Sequence, residues 1–195
     1  MLRLTPQQLD QALKILRVGG VIVYPTETSY GIGCDATNDN AVRRLFELKG
    51  RSQAKGATVL ISDISESLRY IEVSAKAQEL MNTYWPGALN IIAPIKQGSP
   101  ISTRCAQEGT QSVRVSSYPV ASALVCALGR PLVSSSANLA GEGDVYCASD
   151  VEIEADAIID AGELEYNRPS TIVRTVDDKI EILRQGEIKI RVVTR

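Results

Sequence analysis

The chain contains no histidine. That absence removes a Ser-His-Asp triad, a His-ligated metal and imidazole acid-base catalysis together, so any chemistry must run on other groups. Its four cysteines, Cys34, Cys105, Cys126 and Cys147, lie far apart. With no CxxC pair and no dense cysteine framework, a zinc site and a secreted disulfide scaffold are both disfavoured, and a reducing cytoplasm is expected. No run of about eighteen apolar residues occurs, which excludes a membrane-spanning helix, and the polar start MLRLTPQQLDQALK lacks the apolar stretch of a signal peptide. An excess of positive charge is missing too: the formal charge is -2 and the pI about 5.3. A surface devoted to coating nucleic acid is normally basic, although local clusters can still bind RNA. Neither a GxxxxGK[ST] loop nor a GxGxxG fingerprint is present, Gly31-Ile32-Gly33 being only a fragment. No repeat, low-complexity tract or dividing linker is visible.

What remains is a chain of 195 residues, 44% apolar, enough to bury a core within one domain, expected to span residues 1–195. The opening reads as a helix capped by Thr5, with Pro6 at its first position and Leu9, Leu13 and Leu16 on one face, stopped by Gly19-Gly20. Val21 to Tyr24 suits a buried strand, and the polar turn Thr26 to Ser29 sits at its end, where α/β sheets tend to place ligands. A second helix is expected from Asn38 or Asp39 to Leu48, with Gly50 as its breaker. Alternation continues with a strand at 58–61, a helix from Ala75 to Trp85, strands at 89–93 and 113–115, a helix from Val120 to Leu128, and a strand at 131–133 running into the polar cluster Ser134 to Asn138. Beyond Gly141, Ser149 and Glu152 offer a capping box for a short helix, Ile158-Ile159 a strand, and 170–183 a hairpin turning at 176–179. These elements predict an α/β fold, a twisted mixed parallel and antiparallel sheet flanked by helices.

Three features point to an anion site: polar turns after apolar strands, Lys49-Gly50-Arg51 at a helix end, and arginines set among strand residues. A Lys offers a mobile point charge and an Arg a rigid fork, so the pair can hold two oxygens of a polyphosphate. The alternative for Lys49 and Arg51 is a solvated helix terminus answering the helix dipole. Arg114, between Val113 and Val115, either faces solvent from a one-sided strand or is buried and needs an anionic partner. Arg184, after Leu183, carries the same ambiguity. Ser134 to Asn138 are either a local turn or small donors that let backbone approach a ligand.

The stretch Pro25-Thr26-Glu27-Thr28-Ser29-Tyr30-Gly31-Ile32-Gly33-Cys34-Asp35 resembles the PT[DE]TxYGLGCD signature of the YrdC/TsaC family, the threonylcarbamoyl-AMP synthases. Lys49-Gly50-Arg51 resembles that family's KxR, Trp85-Pro86-Gly87 its PG turn, Val113-Arg114-Val115 its VRV strand, and SSSANLAG at 134–141 its SxN block. Pro169 to Val173 and Leu183 to Gly186 complete an ordered series covering about residues 20–186. Departures are Ser52 and Gly56, where Pro is frequent, Ala140, where Ser is usual, and Leu60, where some longer relatives carry a histidine. The short length resembles the single-domain bacterial form.

The resemblance implies a fold built around a positively charged cleft, and a nucleotidyltransferase making threonylcarbamoyl-AMP and pyrophosphate from L-threonine, bicarbonate or CO2, and ATP. The product would feed N6-threonylcarbamoyladenosine formation in tRNA. Lys49, Arg51, Ser136 and Asn138 are implied as catalytic and ATP-binding, Arg184 as ATP-binding, and Thr26 and Arg114 as threonine-binding. Thr28, Tyr30, Ser134, Ser170 and Thr171 are implied as lining. ATP would act as substrate with Mg²⁺ carried on its phosphates and no protein metal cage; tRNA and downstream threonylcarbamoyl-transferase proteins are the expected partners, and no membrane is. Lys49 and Arg51 are expected at an exposed helix end. The competing functions are a non-catalytic RNA-binding module and a carbamoyl-adenylate enzyme using carbamoyl phosphate.

Overall fold

The computed structural model describes residues 1–50, 56–139, 141–177 and 179–190. Among them ten strands form one sheet: β1 (Leu2–Leu4), β2 (Ile22–Pro25), β3 (Tyr30–Gly33), β4 (Thr58–Leu60), β5 (Leu89–Pro94), β6 (Thr110–Arg114), β7 (Leu132–Ser136), β8 (Ala157–Ile159), β9 (Thr171–Val176) and β10 (Lys179–Arg184). Their order is β1-β8-β2-β3-β7-β4-β6-β5-β9-β10. Parallel pairs such as β4 with β6 and β5 with β9 alternate with antiparallel ones such as β2 with β3 and β9 with β10, giving the expected mixed sheet.

Among the described residues four α-helices cover it: α1 (Leu9–Arg17), α2 (Asp39–Leu48), α3 (Ala75–Tyr84) and α4 (Pro119–Leu128). The side-chain period of two along each strand sorts the core into two layers. Ile22, Tyr24, Leu60, Leu132 and Ile159 pack with Leu13 and Leu16 of α1 and Leu124 and Val125 of α4. Val23, Ile32, Val59, Val133 and Ile158 face the other way, into the layer that holds Val42, Leu45 and Phe46 of α2 and Leu80 and Met81 of α3. On the α1/α4 face the apolar residues give way, toward β6, β5 and β9, to polar ones, and the cavity described below opens there.

The helix ends follow their chemistry. Asn38 Oδ1 accepts from Ala41 N at 3.2 Å and Ser74 Oγ from Ala77 N at 3.2 Å, each satisfying one orphan amide of a first turn. Pro119 begins α4, and Gly129 ends it in the left-handed region, φ 66°. At four points the structure adds to or changes the expected elements. α1 begins at Leu9 rather than after Thr5, because Leu2–Leu4 pairs with β8 and Thr5 to Gln8 form the intervening turn, Gln8 N donating to Thr5 O at 3.0 Å. The polar turn 26–29 closes a hairpin, since Tyr30–Gly33 returns as β3 against β2. The serines 134–136 continue β7 instead of following it, and after Gly141 only a single helical turn forms, at Ala148–Asp150.

Candidate active site

The cavity lies where the C-terminal half of β7, the hairpin turn between β2 and β3, and the ends of β6 and β10 converge. It holds about 190 Å³ and is lined by Thr26, Thr28, Ser29, Gly31, Thr58, Asn90, Arg114, Ser134, Ser135, Ser136, Asp144, Pro169, Ser170, Ile172 and Arg184. Seven of the residues expected from the resemblance meet here: Thr26, Thr28, Arg114, Ser134, Ser136, Ser170 and Arg184.

The hairpin turn is held by its first threonine. Thr26 Oγ1 donates to Ser29 O at 2.7 Å and accepts from the amides of Thr28 and Ser29, both at 3.3 Å. Such a side-chain-to-backbone clasp keeps a tight turn in one conformation. Arg114, the last residue of β6, is 4% exposed, so of its two readings the buried one holds, and the protein supplies the anion. Nη2 lies 2.6 Å from Glu27 Oε1. That contact is a close ion pair set off the line of the N–H bond, and neither Nε nor Nη2 has a hydrogen-bond acceptor among the described residues. Glu27 in turn accepts from Ser116 Oγ at 2.6 Å and Ser117 N at 3.2 Å. Burial pushes the Glu27 carboxyl up, but the charge of Arg114 beside it and the hydrogen bond from Ser116 outweigh it and hold the group below its ordinary value. An ionised pair therefore sits at the cavity's back.

Across the cavity a shift of register between Ile182 and Arg184 marks an irregularity in β10, the kind of local kink that re-aims a side chain. Arg184 reaches Ser170, Nε donating to its carbonyl at 2.8 Å and Nη2 to its hydroxyl at 2.9 Å. Asp144 is the one carboxylate on the lining. Its place is set by the next residue, whose carbonyl accepts from Tyr30 N at 2.8 Å.

The other expected residues lie elsewhere. Lys49 ends α2 and is 2% exposed, not at an exposed helix end as expected. Its ammonium bonds the carbonyl of Ser136 and, at 2.7 Å, that of Asn138. The cation thus sits behind β7, clamping the segment whose Ser136 side chain lines the cavity. Asn138 borders a separate hollow with Glu142, Asp150 and Glu152, its Nδ2 donating to Glu142 O at 2.5 Å. Strand alternation turns Tyr30 into the α2/α3 layer, its hydroxyl donating to Gly162 O at 2.8 Å. It also turns Thr171 away from Ser170 and Ile172, so that its hydroxyl meets Ile188 O at 2.6 Å. Arg51 lies outside the described residues.

Lining or supporting residues that were not anticipated include Glu27, Thr58, Asn90 and Asp144. Glu27 stood inside the quoted signature, and a buried Arg114 demanded such a partner. Asn90 was signalled only by being the single amide in an otherwise apolar strand, 89–93. Among the described residues no three carboxylate, thiol or imidazole groups gather as a metal cage, and no helix is long and apolar enough to cross a membrane.

The same arrangement of chain recurs in known proteins. The threonylcarbamoyl-AMP synthase of Bacillus subtilis (strain 168) is 36% identical over 187 residues, which cover 93% of this chain and 54% of that protein. This chain therefore spans about half the length of that relative. Escherichia coli YciO superposes with a TM-score of 0.82 at 31% identity, over 95% of this chain and 93% of its own. Sua5 of P. abyssi, solved in complex with L-threonine, superposes with a TM-score of 0.87 at 27% identity, over 95% of this chain and 57% of its own. The family profile described as "Telomere recombination" matches residues 14–186, and with nearly the whole sheet inside that span the chain belongs to the Sua5/YciO/YrdC family.

Proposed function

We propose that this protein is a threonylcarbamoyl-AMP synthase. The observation that carries the proposal is the meeting of Arg114 and Arg184 with a ring of Ser and Thr hydroxyls in one cavity, on a scaffold shared with a Bacillus subtilis enzyme of that name and with a Sua5 solved with L-threonine. The amine of threonine adds to CO2, losing a proton and giving a carbamate. A carbamate oxygen then forms a bond to the α-phosphorus of ATP as the bond from that phosphorus to the pyrophosphate oxygen breaks. No imidazole is required. The work is to align anions and to meet the charge that develops on the transferring phosphoryl, which preorganised cations and hydroxyl donors do best in a cavity sheltered from water.

In this reading the Arg114 guanidinium takes the threonine carboxylate, with Thr26 beside it. Arg184 and Arg51 hold the triphosphate, and Ser134, Ser136 and Ser170 offer hydroxyls to the nucleotide. Lys49 belongs to the same phosphate-binding group, and its grip on the carbonyls of Ser136 and Asn138 aims those two side chains. Magnesium would arrive on the nucleotide and neutralise phosphate charge. One lining carboxylate, Asp144, fits a phosphate-borne ion that keeps most of its waters. The positively charged cleft, a cytoplasmic setting, and delivery of the adenylate toward tRNA modification with its transferase partners belong to the same proposal.

The test is pyrophosphate release from ATP and bicarbonate with each amino acid in turn. Release dependent on threonine is expected. Release indifferent to the amino acid, or RNA binding with no release, overturns the proposal.

A further inference from the structure

The cavity floor contains a polar group that the fold prepares and then leaves unused. Asn90 is 5% exposed and lines the cavity. Its Nδ2 donates to Thr58 Oγ1 at 3.0 Å, and Thr58 Oγ1 is itself 2.9 Å from Ser112 Oγ. Three side chains on three neighbouring strands thus fix the amide, yet Asn90 Oδ1 has no partner among the described residues. Interchanging the amide's oxygen and nitrogen would only exchange which atom is left over, since Thr58 can bond either. A buried polar atom without a partner is costly to the fold, and when it borders a cavity a ligand is the natural partner.

What lies beside it narrows the ligand. The β5–β6 ladder pairs Ile91 with Val113 and Ile92 with Ser112, so one further step sets Asn90 opposite Arg114. Directly opposed side chains have Cβ atoms about 4.5–5.5 Å apart on one face of a sheet. Arg114 contributes a guanidinium that lines the cavity, its Nε without an acceptor among the described residues and its Nη2 held to Glu27 as an ion pair, a group suited to a carboxylate. A ligand filling both needs a carboxylate and, close to it, a group able to satisfy one amide atom. A hydroxyl both donates and accepts, so it pairs with whichever amide atom faces the cavity. A carboxylate with a hydroxyl on the carbon next to its α-carbon is a β-hydroxy acid, and the amino acid of the proposed reaction, threonine, is one.

We propose that Asn90 is the residue that selects the amino acid by bonding its side-chain hydroxyl, while Arg114 takes the carboxylate. This deepens the proposed synthase function and rests on it. It assigns the preference for threonine over its hydroxyl-free analogue L-2-aminobutyrate to one amide, because a site built to hydrogen-bond a hydroxyl leaves a buried group unpaired when that hydroxyl is missing.

The experiment compares kcat/KM for L-threonine and L-2-aminobutyrate in the wild type, Asn90→Ala and Asn90→Val, the second chosen because valine suits a strand. Melting temperature and KM for ATP are recorded for each protein. In the variants kcat/KM for threonine is expected to fall about tenfold to a hundredfold, while that for aminobutyrate stays within about twofold, so the preference collapses. If both variants melt and bind ATP as the wild type does and keep the wild-type ratio, the assignment of Asn90 is wrong. A loss shared equally by the two amino acids also overturns it, as that marks a purely structural residue. A wild type without threonine-dependent turnover fails at the earlier step and takes the function with it.

Discussion

At the scale of single residues, spacing along the chain announced charges but not their partners. Lys49 and Arg114 looked alike in the sequence, each a cation that could face water. Both are buried, and they differ in what answers them: two backbone carbonyls for Lys49 and a carboxylate for Arg114. The Glu27 pair makes a test. Its carboxyl is held below the ordinary value of 4.5 in the folded protein, so the pair stabilises the fold in full above about 4.5 and loses that contribution as pH falls through the lower, folded value. With side chains only 15% and 5% exposed, screening by solvent is slight. Glu27→Gln should lower stability by about 3 kcal/mol near neutral pH, because it strands the Arg114 cation. It should also flatten the acid limb of the stability profile. Urea denaturation from pH 3 to pH 7 (roughly the span over which a carboxylate titrates) checks both. A variant profile that runs parallel to the wild type would show that Glu27 is not the group being protonated.

At the scale of elements, the parts that were legible had strong local chemistry. Asn38 caps α2 where the sequence placed its start, and Gly129 stops α4 because only a residue without a Cβ takes φ 66° cheaply. β1 and β3 escaped because three or four residues carry too little periodicity, and because β1 acquires its meaning only from β8, more than 150 positions away. Ser134 to Ser136 escaped for another reason: polarity suggested a turn, but pairing with β3 and β4 makes the segment a strand. The cavity wall supplies the prediction at this scale. Gly186 N donates to Thr171 Oγ1 at 3.0 Å, and a Cβ on Gly186 would fall 1.9 Å from Pro169 O and 2.7 Å from Ser170 C. Backbone cannot yield as a side-chain tip can, so Gly186→Ala must displace the segment against which Arg184 is set. A loss of about 2 kcal/mol is expected, together with weaker ATP binding by calorimetry. Gly143→Ala, where a Cβ meets nothing within 4 Å, is the control and should change neither. Equal behaviour of the two variants would show that the 169–171 segment tolerates the shift.

At the scale of the whole molecule, chain order and strand order part company, and the site depends on that difference. Arg114 and Arg184 stand at the ends of β6 and β10, with β5 and β9 between these strands in the sheet, and Thr26 arrives from the β2–β3 turn far along the same sheet. No spacing rule foretells such a meeting. The resemblance to a family supplied the list of residues, and the register supplied the reason Thr58, Asn90 and Arg114 share one face. Because ligands would bridge strands spread from β2 to β10, binding should be felt as stability of the entire chain. Each ligand at a hundred times its Kd adds about 2.7 kcal/mol. For a chain of 195 residues each kcal/mol is worth about 2–4 °C, so ATP and threonine should each raise the melting temperature by roughly 5–11 °C. The two arginines divide that effect: Arg114→Ala should erase the threonine shift and keep the nucleotide shift, and Arg184→Ala should do the reverse. Differential scanning fluorimetry with each ligand alone reads this directly. A threonine shift that survives Arg114→Ala would move the amino acid out of the pocket at the end of β6, and Asn90 could then no longer be the residue that selects it.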